Sequence, residues 1–65
     1  MDFKVQRASL VAGEWKTVCT NSKEDYVREI YKKQLQLYSV GRFRLLDPDG
    51  KVLAEDKAAP LFSNN

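Results

Sequence analysis

Between Ser22 and Ser39 the apolar residues recur with the period of an α-helix, and that stretch constrains everything around it. At about 100° per residue, Tyr26, Val27, Ile30, Tyr31, Leu35, Leu37 and Tyr38 fall on one half of the cylinder. Glu24, Asp25, Arg28, Glu29, Lys32, Lys33 and Gln36 fall on the other. An apolar face that wide must be buried against something. Asn21 or Ser22 is placed to cap the helix, and Ser22 with Asp25 has the spacing of a capping box. Glu24 and Asp25 in the first turn suit the helix dipole. Glu24–Arg28 and Glu29–Lys33 have the favourable i,i+4 order. Gly41 is the expected stop. The pattern predicts one helix over about residues 22–39.

The surface that buries it must come from the flanks, which read as strands. Phe3, Val5 and Arg7 alternate with Asp2, Lys4 and Gln6. Gly13 marks a turn, and Trp15 to Thr20 follows with β-branched and aromatic content. After the helix, Phe43 and Leu45 alternate with Arg42, Arg44 and Leu46. Asp47-Pro48-Asp49-Gly50 is a strong turn signal, and Lys51 to Glu55 returns. The expected fold is α+β with order ββαββ: a four-stranded, mostly antiparallel sheet with one helix packed on one face. A strand order of 2-1-3-4 makes every neighbour antiparallel. Residues 1–55 form this single domain, and residues 56–65 read as a partly disordered tail carrying an apolar pair, Leu61-Phe62.

At 65 residues the chain leaves one sheet face without cover. Alternation assigns Phe3, Val5, Trp15, Thr17, Cys19, Phe43, Leu45, Val52 and Ala54 to the helix side. It assigns Lys4, Gln6, Lys16, Val18, Thr20, Arg42, Arg44, Leu46 and Leu53 to the open side, with Lys51 after the turn a candidate for the same side. A slip of one residue in any strand exchanges its two sets.

Catalytic chemistry is not expected. The chain has no histidine, so the commonest general base is missing. Cys19, the single cysteine, reads as a small buried hydrophobe and excludes an internal disulfide. One thiol without histidine gives no metal site, and no cofactor motif is present. Asp47 and Asp49 resemble a fragment of a calcium loop, but Lys51 stands where another acceptor is needed, so the turn reading prevails. No apolar run approaches the ~18 residues of a membrane span, and residues 1–4 lack the pattern of a signal peptide, so the cytoplasm is the expected compartment.

What remains is binding. Lys4, Lys16, Val18, Arg42, Arg44, Leu46 and Leu53 make a mixed basic and apolar patch of the kind enriched at protein interfaces. The same cations could meet phosphates, but the aromatics fall on the other side in this partition. A net charge of +2 is also mild for a nucleic-acid binder. A protein partner is therefore expected first, nucleic acid second and a homodimer third.

The alternating first strand, a second strand opening at Glu14-Trp15-Lys16, the capped helix and the FRLLDPDGKVLAE hairpin form a layout over residues 2–55. In length and layout this is similar to small accessory proteins of bacteria and their phages. Many of those resemble inhibitors or adaptors that bind a larger host protein. The resemblance implies a regulator acting by protein binding and carries over no residue role.

Overall fold

The computed structural model describes residues 1–11 and 13–58. Its elements are β1 (Phe3–Ala8), β2 (Lys16–Asn21), α1 (Glu24–Leu37), β3 (Gly41–Leu46) and β4 (Val52–Ala58). The strands form one sheet in the order β2-β1-β3-β4, with every neighbouring pair antiparallel. This is the expected ββαββ arrangement of the α+β class. β4 extends three residues beyond the expected domain limit at 55, because Asp56, Lys57 and Ala58 pair with Phe43, Arg42 and Gly41. The Leu61-Phe62 pair lies outside the described residues.

One face of the sheet carries the core. Val5, Val27, Tyr31, Phe43 and Leu45 are buried together, and Phe3, Cys19, Ile30, Leu35, Ala54 and Ala58 pack around them. Fully burying a side chain such as Val5, Phe43 or Leu45 contributes about 1.5–3 kcal/mol. A domain this small depends on each of them. The apolar stripe of α1 is wider than the core it meets. Val27 and Tyr31 are buried, but Tyr26 and Tyr38 are exposed and Leu37 is 71% exposed.

The helix ends differ from the sequence expectation. Its N-cap is Lys23, which makes no side-chain cap, so neither Asn21 nor Ser22 caps it and the capping box is not formed. Asn21 instead closes a local turn one step earlier: its Oδ1 accepts the Lys23 backbone N–H at 2.8 Å. Glu24 and Asp25 occupy the first turn as expected. At the other end the Tyr38 N–H donates to the Gln34 carbonyl, and Tyr38 is already extended. Gly41 does not stop the helix; it opens β3. Its φ is +140°, and an added Cβ would stand 3.3 Å from the Ala8 carbonyl oxygen. Of the two i,i+4 pairs, Glu24–Arg28 closes at 2.7 Å, and Glu29–Lys33 is not among the ion pairs of the described residues.

The β3–β4 turn closes as expected. The Asp47 Oδ1 accepts the backbone N–H groups of Asp49 at 2.9 Å and Lys51 at 2.8 Å. The Gly50 N–H donates to the Asp47 carbonyl, and Gly50 has φ +88°. The Asp47 carboxylate is thus committed to its own turn and not to a cation.

Candidate functional site

Two bulges decide what the open sheet face presents. In the β1–β2 ladder Val5 pairs with Cys19 but Gln6 pairs with Thr17, leaving Val18 as the extra residue. In the β3–β4 ladder Leu45 pairs with Ala54 but Leu46 pairs with Val52, leaving Leu53 extra. Each extra residue reverses the in–out alternation of its strand from that point. Regular alternation misplaces four residues for this reason. Thr17 stands opposite Gln6 and Val52 opposite Leu46, so both join the open face. Lys16 stands opposite Arg7, on the helix side of the sheet. Trp15, expected in the core, lies against Arg42 and Arg44.

The open face is therefore built in cross-strand rows. Thr20, Lys4, Leu46 and Val52 form one, and Thr17, Gln6, Arg44 and Glu55 form the next. Ala8, Arg42 and Lys57 form the third. Among the expected site residues, Lys4, Arg42, Arg44 and Leu46 share this face, and Val18 and Leu53 occupy its two bulges. Lys16 does not belong to it. Leu46 is only 8% exposed, yet it stands outside the main core cluster, so it acts as a buried floor and not as a contact. Val18, Val52 and Leu53 carry the exposed apolar surface instead.

The arginines are fixed in place. The Arg44 guanidinium carbon lies 4.2 Å from the centre of the Trp15 ring, and that of Arg42 lies 5.0 Å from it. Arg44 donates from Nε to Gln6 Oε1 at 2.8 Å, and Gln6 donates from Nε2 to Thr17 Oγ1 at 3.1 Å. This polar row ties β3, β1 and β2 across the face. Arg42 donates from Nε to the Ser9 carbonyl at 2.7 Å and from Nη2 to the Gly13 carbonyl at 3.5 Å, which holds the β1–β2 loop against β3. The two arginines are thus unequal. Arg42 is a structural tie. Arg44 keeps both terminal amino groups without an acceptor among the described residues. Its register neighbour Glu55 forms no ion pair with it; the ion pair among those residues is Glu24–Arg28.

The signal that was missed is Trp15. A lone tryptophan next to a turn, one residue outside a strand, does not reveal its side, because the bulge three residues later, at Val18, sets the phase. Chemically, these cross-strand rows offer four cations (Lys4, Arg42, Arg44 and Lys57) against one carboxylate, Glu55, with an indole beside both guanidinium groups. Among the described residues no group of three His, Cys, Asp or Glu side chains could hold a metal ion, and no helix is long and apolar enough to cross a membrane. No protein-family model, curated protein or solved structure matches this chain, so its geometry stands alone as the guide to function.

Proposed function

We propose that this chain is a small, non-enzymatic protein-interaction module that docks an acidic segment of a larger protein on the sheet face opposite α1. The observation that carries the reading is Arg44. Its guanidinium is held by Gln6 and Trp15, while its terminal amino groups have no acceptor among the described residues. A guanidinium held in this way is a preorganised fork for a carboxylate, because ordering the side chain costs nothing further on binding. Tryptophan and arginine together are the residue types that dominate interface energetics. Lys4 and Lys57 extend the positive field, and Val18, Val52 and Leu53 give apolar contact at its margins. Regulation or inhibition of the partner, with cytoplasmic location, is the biological form this reading takes.

Nucleic acid is the second reading, and Trp15 favours it more than the sequence alone does. A single-stranded base could stack on an indole set among cations. A second copy of the chain is disfavoured, because an isologous contact would bring Lys4, Arg44 and Lys57 toward their own counterparts. Edge pairing is hindered by the bulges in β2 and β4, the two edge strands.

Trp15 is the sole tryptophan and so reports on this face directly. A glutamate-rich peptide should change its emission saturably, and Arg44→Gln should weaken that binding about tenfold or more. A peptide that leaves the emission unchanged, or binds Arg44→Gln as well as wild type, rejects the reading. A single-stranded oligonucleotide that binds while the peptide does not, with a steep loss between 50 and 200 mM salt, establishes the second one.

A further inference from the structure

The helix side of the sheet holds a second feature, separate from the open face. Arg7 and Lys16 are directly opposite each other in the β1–β2 register. Like charges in that position repel and destabilise a sheet. Both line a cleft of about 360 Å³ beside the end of α1, with Glu14 also in its lining and Tyr38 and Val40 as apolar wall. That volume is within the range of small-ligand pockets.

Neither cation has an ion-pair partner among the described residues. The Arg7 guanidinium stacks on Tyr38, 4.1 Å from the ring centre, and among the described residues it has no hydrogen-bond acceptor although it is half-buried. Lys16 likewise forms no ion pair among those residues. Stacking on Tyr38 leaves the edge of the guanidinium, where its N–H groups lie, available to a planar acceptor. Two facing cations with one carboxylate, Glu14, in the lining leave a net of one positive charge to be matched.

We propose that this cleft binds a carboxylate joined to a small apolar body. Arg7 takes the carboxylate along its edge, Lys16 approaches from the facing strand, and Val40 with the Tyr38 ring covers the apolar part. A free organic acid and the carboxyl terminus of a peptide share this chemistry. The site is on the opposite face from Trp15 and Arg44, so it stands or falls independently of the docking surface.

The test is an ¹⁵N-resolved NMR titration of the full chain at low ionic strength. The probes are sodium benzoate, benzamide, the tripeptide Gly-Gly-Phe with a free carboxyl terminus, and the same tripeptide as its amide. Benzoate or the free tripeptide should give saturable shifts centred on Arg7, Lys16, Tyr38 and Val40. The neutral partners should give none. Response to benzoate alone assigns a free acid, and response to the tripeptide alone assigns a chain terminus. Arg7→Gln should weaken binding at least tenfold and Lys16→Gln several-fold, with Lys33→Gln on the outer helix face unchanged. Should Arg7→Gln fail to fold, the exposed Lys16 carries the same comparison. Equal response to neutral and charged probes overturns the proposal. So do shifts centred on Trp15 and Arg44, and so does undiminished binding by Lys16→Gln together with indifference to Arg7→Gln.

Discussion

The Trp15 ring lies 4.2 Å from the Arg44 guanidinium carbon, across two strands and on the face of the sheet that α1 does not cover. This one contact joins the β1–β2 loop to β3 and sets the half-buried Arg44 in a fixed position on the open face. Its energetic weight is measurable. A cation–π contact contributes about 0.5–1 kcal/mol at an exposed site and more when shielded, and Trp15 also covers apolar surface. Trp15→Ala should therefore lower stability by about 1–3 kcal/mol, and Trp15→Phe should recover part of it. Urea denaturation followed by circular dichroism measures both. An unchanged midpoint for Trp15→Ala would show that the indole is not packed on the arginines.

The bulge at Val18 sets the side on which Trp15 and Lys16 lie. Deleting Val18 removes the extra residue, so that Thr17 directly precedes Cys19 and a regular strand leaves Thr17, Lys16 and Trp15 on the faces they now occupy. The deletion should therefore keep the fold and the contact of Trp15 with the arginines, with unchanged tryptophan emission. A variant that unfolds, or whose emission shifts to the red, would mean that Val18 is not the residue left over in the ladder.

Tyr31 gives stability a dependence on alkaline pH. Its hydroxyl donates to Asp56 Oδ2 at 2.5 Å, bridging α1 and β4. Burial, then the hydrogen bond and the charge of Asp56, raise the phenol's pKa above its usual value of 10.0. In the unfolded chain tyrosine ionises near pH ~10. Above that pH the folded state holds a proton that the unfolded state has released. The contribution is therefore complete below pH ~10 and is lost as pH rises toward the folded-state value. Stability should fall with increasing pH above ~10, and Tyr31→Phe should flatten that part of the slope. At neutral pH the same variant should cost about 0.5–1.5 kcal/mol, since Asp56 is exposed and water replaces the lost donor. Thermal melts of both proteins between pH 7 and 11 separate the two effects. Parallel slopes above pH 10 would assign the alkaline loss to other groups.

Lys16 opposite Arg7 is a repulsive pair in the empty protein. Lys16→Glu turns it into an attractive one and should raise stability by about 0.2–1 kcal/mol, more at low salt than at high. The same change should abolish benzoate binding in the cleft. A variant that is less stable than wild type at low salt would mean that Lys16 and Arg7 do not face each other.

Much of this architecture was legible before any coordinates. The helix declared itself through the spacing of Val27, Ile30, Tyr31 and Leu35, and the second turn through Asp47 and Gly50. Strand order followed from keeping every pair antiparallel. The open face was legible only in its regular parts. Lys4, Arg42 and Arg44 were placed correctly because β1 and β3 alternate without interruption. Lys16, Trp15, Thr17 and Val52 were not, because each lies beyond a bulge in an edge strand.

Sequence by itself determined the elements, since hydrophobic periodicity and turn chemistry act over a few neighbouring residues. Tertiary structure alone decided which face each side chain of β2 and β4 meets. A bulge is a property of two paired strands: it exists only when Val18 or Leu53 is left over against a partner that runs straight. Neither Trp15 beside Arg44 nor Lys16 opposite Arg7 could be known until the strands had paired, because the single extra residue that creates both relationships leaves no mark on the composition of its own strand.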